Sequence, residues 1–120
     1  MPNLSEMRRR HTKTHLYVLR VELNDGNGPF VHALFSLPGS KKHPMPRHDG
    51  LEQWIQGRRF GCRNPRQLQR WFGQFWPRLR NAHVCLYKVP REKVCVGKTQ
   101  VLFDREAAEL VKKAAVSELF

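Results

Sequence analysis

One stretch, residues 57–76 (Gly-Arg-Arg-Phe-Gly-Cys-Arg-Asn-Pro-Arg-Gln-Leu-Gln-Arg-Trp-Phe-Gly-Gln-Phe-Trp), limits the possible folds more than any other. Asn64 is a good helix N-cap, Pro65 suits the first helical position, and Gln67 sits where the return half of a capping box belongs. Leu68, Trp71, Phe72, Phe75 and Trp76 then recur at i, i+3, i+4, i+7 and i+8, the stripe of a core-facing helix. The spacing predicts a helix over about 64–76. Pro77 should end or kink it, and Leu79 keeps the register for a kinked continuation to about 81.

The flanking sequence predicts strands. In residues 15–23, Tyr17, Leu19, Val21 and Leu23 alternate on one face, with Arg20 and Glu22 opposite beside Leu16 and Val18. An arginine at such a position usually lies on a solvated face. Residues 82–89 read as a strand, and 94–96 and 100–103 as short strands around a turn at Gly97-Lys98. Asp104 should cap a last helix, about 105–119, with Ala107, Leu110, Val111 and Ala114 facing inward. Between the first strand and the central helix, 24–29 reads as a turn, 30–37 as a short apolar strand or helix, 36–50 as a loop and 51–56 as a helical turn carrying Trp54. The expectation is an α+β fold: one small domain over 15–120, a short antiparallel or mixed sheet packed on the central and C-terminal helices. Residues 1–14 read as a flexible basic arm.

A chain of 120 residues supports one modest core. No run is long and apolar enough to span a membrane, and no apolar stretch follows the N-terminal arginines as a secretory signal requires. Cys62, Cys85 and Cys95 form no Cys-x-x-Cys pair, which fits buried thiols in a reducing cytoplasm. His11 and His15 are spaced i, i+4 but sit in an arm with no helical pattern, and His43, His48, Cys62 and His83 lack zinc spacing, so no metal is expected. Val96-Gly97-Lys98-Thr99 imitates a P-loop, but Glu92 stands where the first glycine must be. There is no Gly-x-Ser-x-Gly elbow.

Charge says more about partners. Twenty-two Lys and Arg against ten Asp and Glu give a formal net charge of +12, which favours polyanions through counterion release. The candidate nucleic-acid contacts are Arg8, Arg9, Arg10, Arg58, Arg59, Arg63, Arg66 and Arg70. Arg63, Arg66 and Arg70 fall at i, i+3 and i+7, one ridge near a helix N-terminus. The interleaved aromatics belong to the core stripe, so the ridge predicts backbone contact rather than base readout.

Four motifs carry a family likeness: Leu-Tyr-x-x-Arg-Val-Glu at 16–22, Gly-Pro-Phe at 28–30, a Phe-Gly segment leading into Leu-x-x-Trp-Phe over 60–72, and Tyr-x-Val-Pro with Gly-x-x-Gln-Val-x-Phe over 87–103. On these the chain resembles small phage and prophage proteins, and is similar to a compact ADP-ribosyltransferase-type domain. The transferase resemblance implies that Arg20 holds a nicotinamide dinucleotide (NAD), Phe60 packs beside the nicotinamide, and Gln100 takes the place of the late-strand glutamate. A neutral amide there cannot stabilise an oxocarbenium-like centre by charge. Three functions follow as expectations. The first is a non-catalytic basic phage or mobile-element module that contacts nucleic acid or a nucleoprotein and needs no cofactor. The second is an inhibitor of a host defence or transcription complex that docks on an acidic protein surface. The third is an NAD-dependent transferase.

Overall fold

The computed structural model describes residues 3–23 and 59–119. The expected elements at 24–29, 30–37, 36–50 and 51–56, and Arg58, lie outside the described residues.

Two antiparallel three-stranded sheets carry the fold. Strand β1 (His15–Glu22) pairs with β3 (His83–Pro90), which pairs in turn with β6 (Glu109–Ala115). The smaller sheet places β5 (Val101–Phe103) between β2 (Arg59–Gly61) and β4 (Val94–Val96). One bridge ties the sheets: Leu19 and Cys62 exchange backbone hydrogen bonds of 2.6 and 2.7 Å. Helix α1 (Pro65–Phe72) follows β2, and the four-residue α2 (Val116–Leu119) follows β6.

Strand alternation makes the large sheet the middle of three layers. Leu19, Val21, Val84 and Leu86 point to the face covered by α1, where they meet Leu68, Trp71, Phe72, Phe75, Trp76 and Leu79. Val18, Cys85, Tyr87 and Val89 point the other way and meet Val101 and Phe103 of the small sheet. This is an α+β domain, mostly β. Among the described residues no helix is long and apolar enough to cross a membrane.

The central helix forms where its caps require it. The Asn64 carboxamide accepts from the Gln67 N–H at 2.7 Å, and the Gln67 side chain reaches back one residue further than a capping box, accepting from the Arg63 N–H at 3.0 Å. The helix is shorter than its apolar stripe. It stops at Phe72, with Gly73 as C-cap, and a 3-10 turn at Trp76–Arg78 replaces the expected continuation. Pro77 explains this: its ring would collide with the carbonyl four residues back, at Gly73, so the helix cannot run through. The stripe stays buried to Leu79 nonetheless.

The expected C-terminal helix over 105–119 is a correction. A 3-10 turn at Arg105–Ala107, capped by Asp104, leads into β6, and only Val116–Leu119 is helical. Ala114 and Val116 are buried, but Leu110 and Val111 are 49% and 43% exposed, where the helical reading had them inward. Hydrogen bonding to the open edge of β3 outweighs the weak 3.6-residue pattern, and a bulge beside Leu86/Tyr87 absorbs the register mismatch. In the expected basic arm, Met7 is fully buried in the core beside α1, while Arg8, Arg9 and Arg10 are exposed.

Candidate nucleic-acid interface

Arg63, Arg66 and Arg70 come out exposed, and among the described residues none of them takes part in an ion pair. Their spacing along α1, from the residue before its N-cap to its last turn, keeps them on the solvent side, because the apolar stripe consumes the other side. Trp71 and Trp76 are buried, and their indole N–H groups donate to the Thr99 carbonyl and to the Gln69 side chain, each at 2.8 Å. The tryptophans are therefore packed, not offered for base stacking.

The N-terminal segment joins this surface through His11. Its Nδ1 accepts from the Tyr17 N–H at 3.0 Å, which leaves the proton on Nε2, facing the Arg63 carbonyl. Burial, with the Arg91 and Arg63 charges, pushes the His11 pKa down, so the ring is neutral at physiological pH. Arg91 Nε donates to the Thr12 carbonyl at 2.7 Å, and the Arg91 N–H to the Thr14 carbonyl at 3.0 Å. With Met7 in the core beside α1, these bonds tie the N-terminal segment to the domain, and Arg9 Nη1 donates to the Glu6 and Arg8 carbonyls at 2.9 Å each.

Arg59 is elsewhere. The Leu19–Cys62 bridge is antiparallel, so Arg63 emerges toward the Tyr17 end of β1 and Arg59 toward the Glu22 end. There it joins a cluster whose chemistry the sequence reading missed. Arg20, expected on a solvated face, is 5% exposed, and Glu22 is 4% exposed. The Glu22 carboxylate accepts from Arg20 Nε (3.1 Å), Tyr87 OH (2.6 Å), Arg105 Nε (3.0 Å) and, on its other oxygen, Arg105 Nη2 (3.0 Å). Arg20 Nη1 donates to the Phe60 carbonyl at 2.8 Å. The face opposite α1 is covered by the small sheet, so an arginine on it must be buried and paired. The signal was present in the sequence: an arginine and a glutamate two apart share one strand face, flanked by apolar residues, which is the pattern of an internal ion pair.

The electrostatics follow. Burial pushes the Glu22 pKa up, but hydrogen bonds from Arg105 and Tyr87 and the charges of Arg105 and Arg20 outweigh it and hold the carboxyl below its ordinary value. Burial and the bond to Glu22 raise Tyr87, which stays a phenol. Burial raises the Cys62 thiol, and burial with the Glu22 charge pushes Cys85 up to about 11, so neither is a thiolate nucleophile at neutral pH.

Of the transferase-type trio, the structure brings Arg20 and Phe60 together, but through the Phe60 carbonyl, with the Phe60 ring 44% exposed. Gln100 is buried at the other end of β5, beside Val101, which pairs with Gly61. Among the described residues no group of three His, Cys, Asp or Glu side chains could hold a metal ion.

Fold and surface together define a small, mostly β domain with a packed aromatic core and outward-facing arginines along one helix. The family of that domain is shown by comparison: a family model described as Bacteriophage T4 Y00F protein matches residues 7–117, and the chain belongs to this phage family. Among the described residues, the match spans strands β1 to β6 and α1. It bears out the phage resemblance and carries no indication of a transferase-type domain. No curated protein and no solved structure matches the chain.

Proposed function

We propose that this phage protein is a non-catalytic module that contacts nucleic acid, or the nucleic acid of a nucleoprotein, through the arginines of α1 and of the N-terminal segment. The observation that carries the reading is the set Arg63, Arg66 and Arg70: exposed, along one side of α1 from the residue before its N-cap to its last turn, and in no ion pair among the described residues. Exposed guanidinium groups are available to phosphates, and the exposed Arg8, Arg9 and Arg10 follow directly on the Leu4–Met7 turn, which packs on α1. Because the indoles are internal, binding draws on the phosphate backbone and reads little sequence.

The test is fluorescence anisotropy with duplex and single-stranded oligonucleotides across a salt series. Affinity should fall steeply with salt, with a log–log slope of about −0.9 per phosphate neutralised on duplex. The Arg66→Glu/Arg70→Glu protein, whose changes lie on the solvent face and leave the core intact, should lose at least tenfold. Absence of binding at low salt, or binding indifferent to salt, would remove the reading. Host proteins retained in a pull-down after nuclease treatment would move the target to an acidic protein surface.

A further inference from the structure

At the Glu22 end of β1, three guanidinium groups gather around one carboxylate. Arg105 is half out of the protein, its side chain 42% exposed, yet its orientation is fixed. Nε and Nη2 both engage Glu22, Nε also meets the Tyr87 hydroxyl at 3.2 Å, and the guanidinium lies 5.8 Å from the centre of the Tyr87 ring. Those bonds use one edge of the fork. Nη1 makes no hydrogen bond among the described residues and belongs to the outward edge.

Arg59 is exposed and in no ion pair among the described residues. It pairs in β2 with Phe103, whose side chain faces the large sheet, so Arg59 leans to the same side. The depressed pKa of Arg20 agrees: burial is its main cause, but Arg59 and Arg105 both contribute as nearby positive charges. Asp104, next in sequence to Arg105, turns a carboxylate oxygen to the Glu106 N–H at 3.0 Å. Tyr87 carries no charge, and Lys113, across β3 from Arg20, adds to the positive side. Arg20, Arg59, Arg105 and Lys113 against Glu22 and Asp104 give four positive charges and two negative, a surplus of two.

We propose that this arginine cluster, with Arg59 and Arg105 exposed and Arg20 buried against Glu22, is a binding site for a phosphomonoester dianion. The charge matches, since a phosphomonoester carries about −1.5 to −2 at neutral pH. The geometry matches as well: forked donors held in place by Glu22 and Tyr87 need not be ordered when the anion arrives. The site is independent of the α1 surface and does not rest on the proposal above. Inorganic phosphate and the terminal phosphate of a nucleic acid share this chemistry.

The test follows the arginine Nε–Hε signals of nitrogen-15-labelled protein as potassium phosphate replaces potassium chloride at constant ionic strength. The signals of Arg59 and Arg105 should shift and saturate. Arg59→Gln, an exposed change that spares the fold, should weaken the response at least tenfold, and Arg105→Lys, which keeps the charge but loses the fork, should weaken it too. The Arg66→Glu/Arg70→Glu protein should bind phosphate as the parent does, so failure here is separate from failure of nucleic-acid binding. A 5′-phosphorylated dinucleotide binding more tightly than inorganic phosphate would support the site with a nucleic-acid end as ligand. Equal binding would support it with free phosphate. A shift that does not saturate, an Arg59→Gln protein indistinguishable from the parent, or an unphosphorylated dinucleotide that binds as well as the phosphorylated one would overturn the proposal.

Discussion

Replacing Glu22 with glutamine tests whether the buried cluster holds the two sheets in register. The change keeps shape and volume and removes one negative charge. The carboxamide has one oxygen for the donors that the Glu22 carboxylate serves with two: Arg20 Nε, Tyr87 OH and the Nε and Nη2 of Arg105. Its amide nitrogen is itself a donor and would face another donor. Arg105 can turn to water, because it is partly exposed, but Arg20 cannot. An uncompensated buried guanidinium is the dominant cost, and removing one partner of a buried pair costs about 3–5 kcal/mol. With partial relief at Arg105, we expect about 3 kcal/mol, which for a domain of this size lowers Tm by roughly 10 °C.

Urea unfolding gives the free energy directly, and its acid limb gives the cause. The Glu22 pKa is depressed in the fold, so the unfolded chain takes up that proton at higher pH than the folded chain does. The stabilisation is therefore complete above the ordinary carboxylate value, about 4.3, and drains away as pH falls through the lower folded value. Glu22→Gln should flatten that part of the profile. The Arg20→Met/Glu22→Leu protein removes both charges and should recover most of the loss, since apolar replacement of a buried pair is often neutral or better. A loss below about 0.5 kcal/mol for Glu22→Gln would refute the argument. So would a double variant no more stable than the single.

Three further outcomes are open to measurement. Gly61→Ala should destabilise the domain by about 1–3 kcal/mol in urea unfolding, because a Cβ at that position collides with Val18 and crowds the Leu19 carbonyl and the Phe103 ring; unchanged stability would mean that the sheets separate freely there. His11 has a depressed folded pKa, so its contribution is complete above about pH 6.5 and fades as pH falls through the folded value; the protection of the Tyr17 amide relative to its intrinsic exchange rate at each pH should then fall on acidification, and His11→Ala should remove the effect. Trp71→Phe keeps most of the buried ring but loses the bond to the Thr99 carbonyl, and should cost about 1 kcal/mol while loosening the 97–100 turn, which hydrogen exchange at Gly97 reads.

How much of this was legible depended on which force fixed each element. The start of α1 was readable because capping is local: Asn64, Pro65 and Gln67 act on groups within a few residues. The burial of Leu68 through Leu79 was readable because an apolar stripe reports a face whatever the backbone does afterwards. The strands β1, β3, β4 and β5 lie close to their expected bounds. β6 was not legible, because Ala107, Leu110, Val111 and Ala114 fit a helix as a local pattern and only the open edge of β3, a distant element, makes that segment extended. Arg20 was misplaced for a related reason. Whether the second face of a strand meets water depends on what covers it, and the cover is a sheet assembled from residues 59–61 and 94–103. The partners of Glu22 lie 65 and 83 residues away in Tyr87 and Arg105, beyond any window of periodicity.

The basic stretch that looks continuous in sequence is divided by the fold, and the division has one structural cause. Gly61 and Cys62 are both buried: the first because the backbone passes too close to Val18 and Leu19 for a side chain, the second because its amide and carbonyl complete the bridge to Leu19. Two consecutive internal residues force the chain on either side to emerge at different places. Arg59 goes to the Glu22 end of β1, and Arg63 to the Tyr17 end with His11. A single phosphate cannot answer both. The Arg63 group runs along the exposed side of α1, suited to a long polyanion passing over it, and the Arg59 group lies beside the Arg105 donors that Glu22 holds in place, suited to one compact anion. Reversing charge at Arg66 and Arg70 should therefore leave the phosphate response of Arg59 and Arg105 intact, and Arg59→Gln should leave most salt-dependent oligonucleotide binding intact. If either change abolished both activities, the division drawn from the Leu19–Cys62 bridge would be wrong, and the arginines would act as one surface.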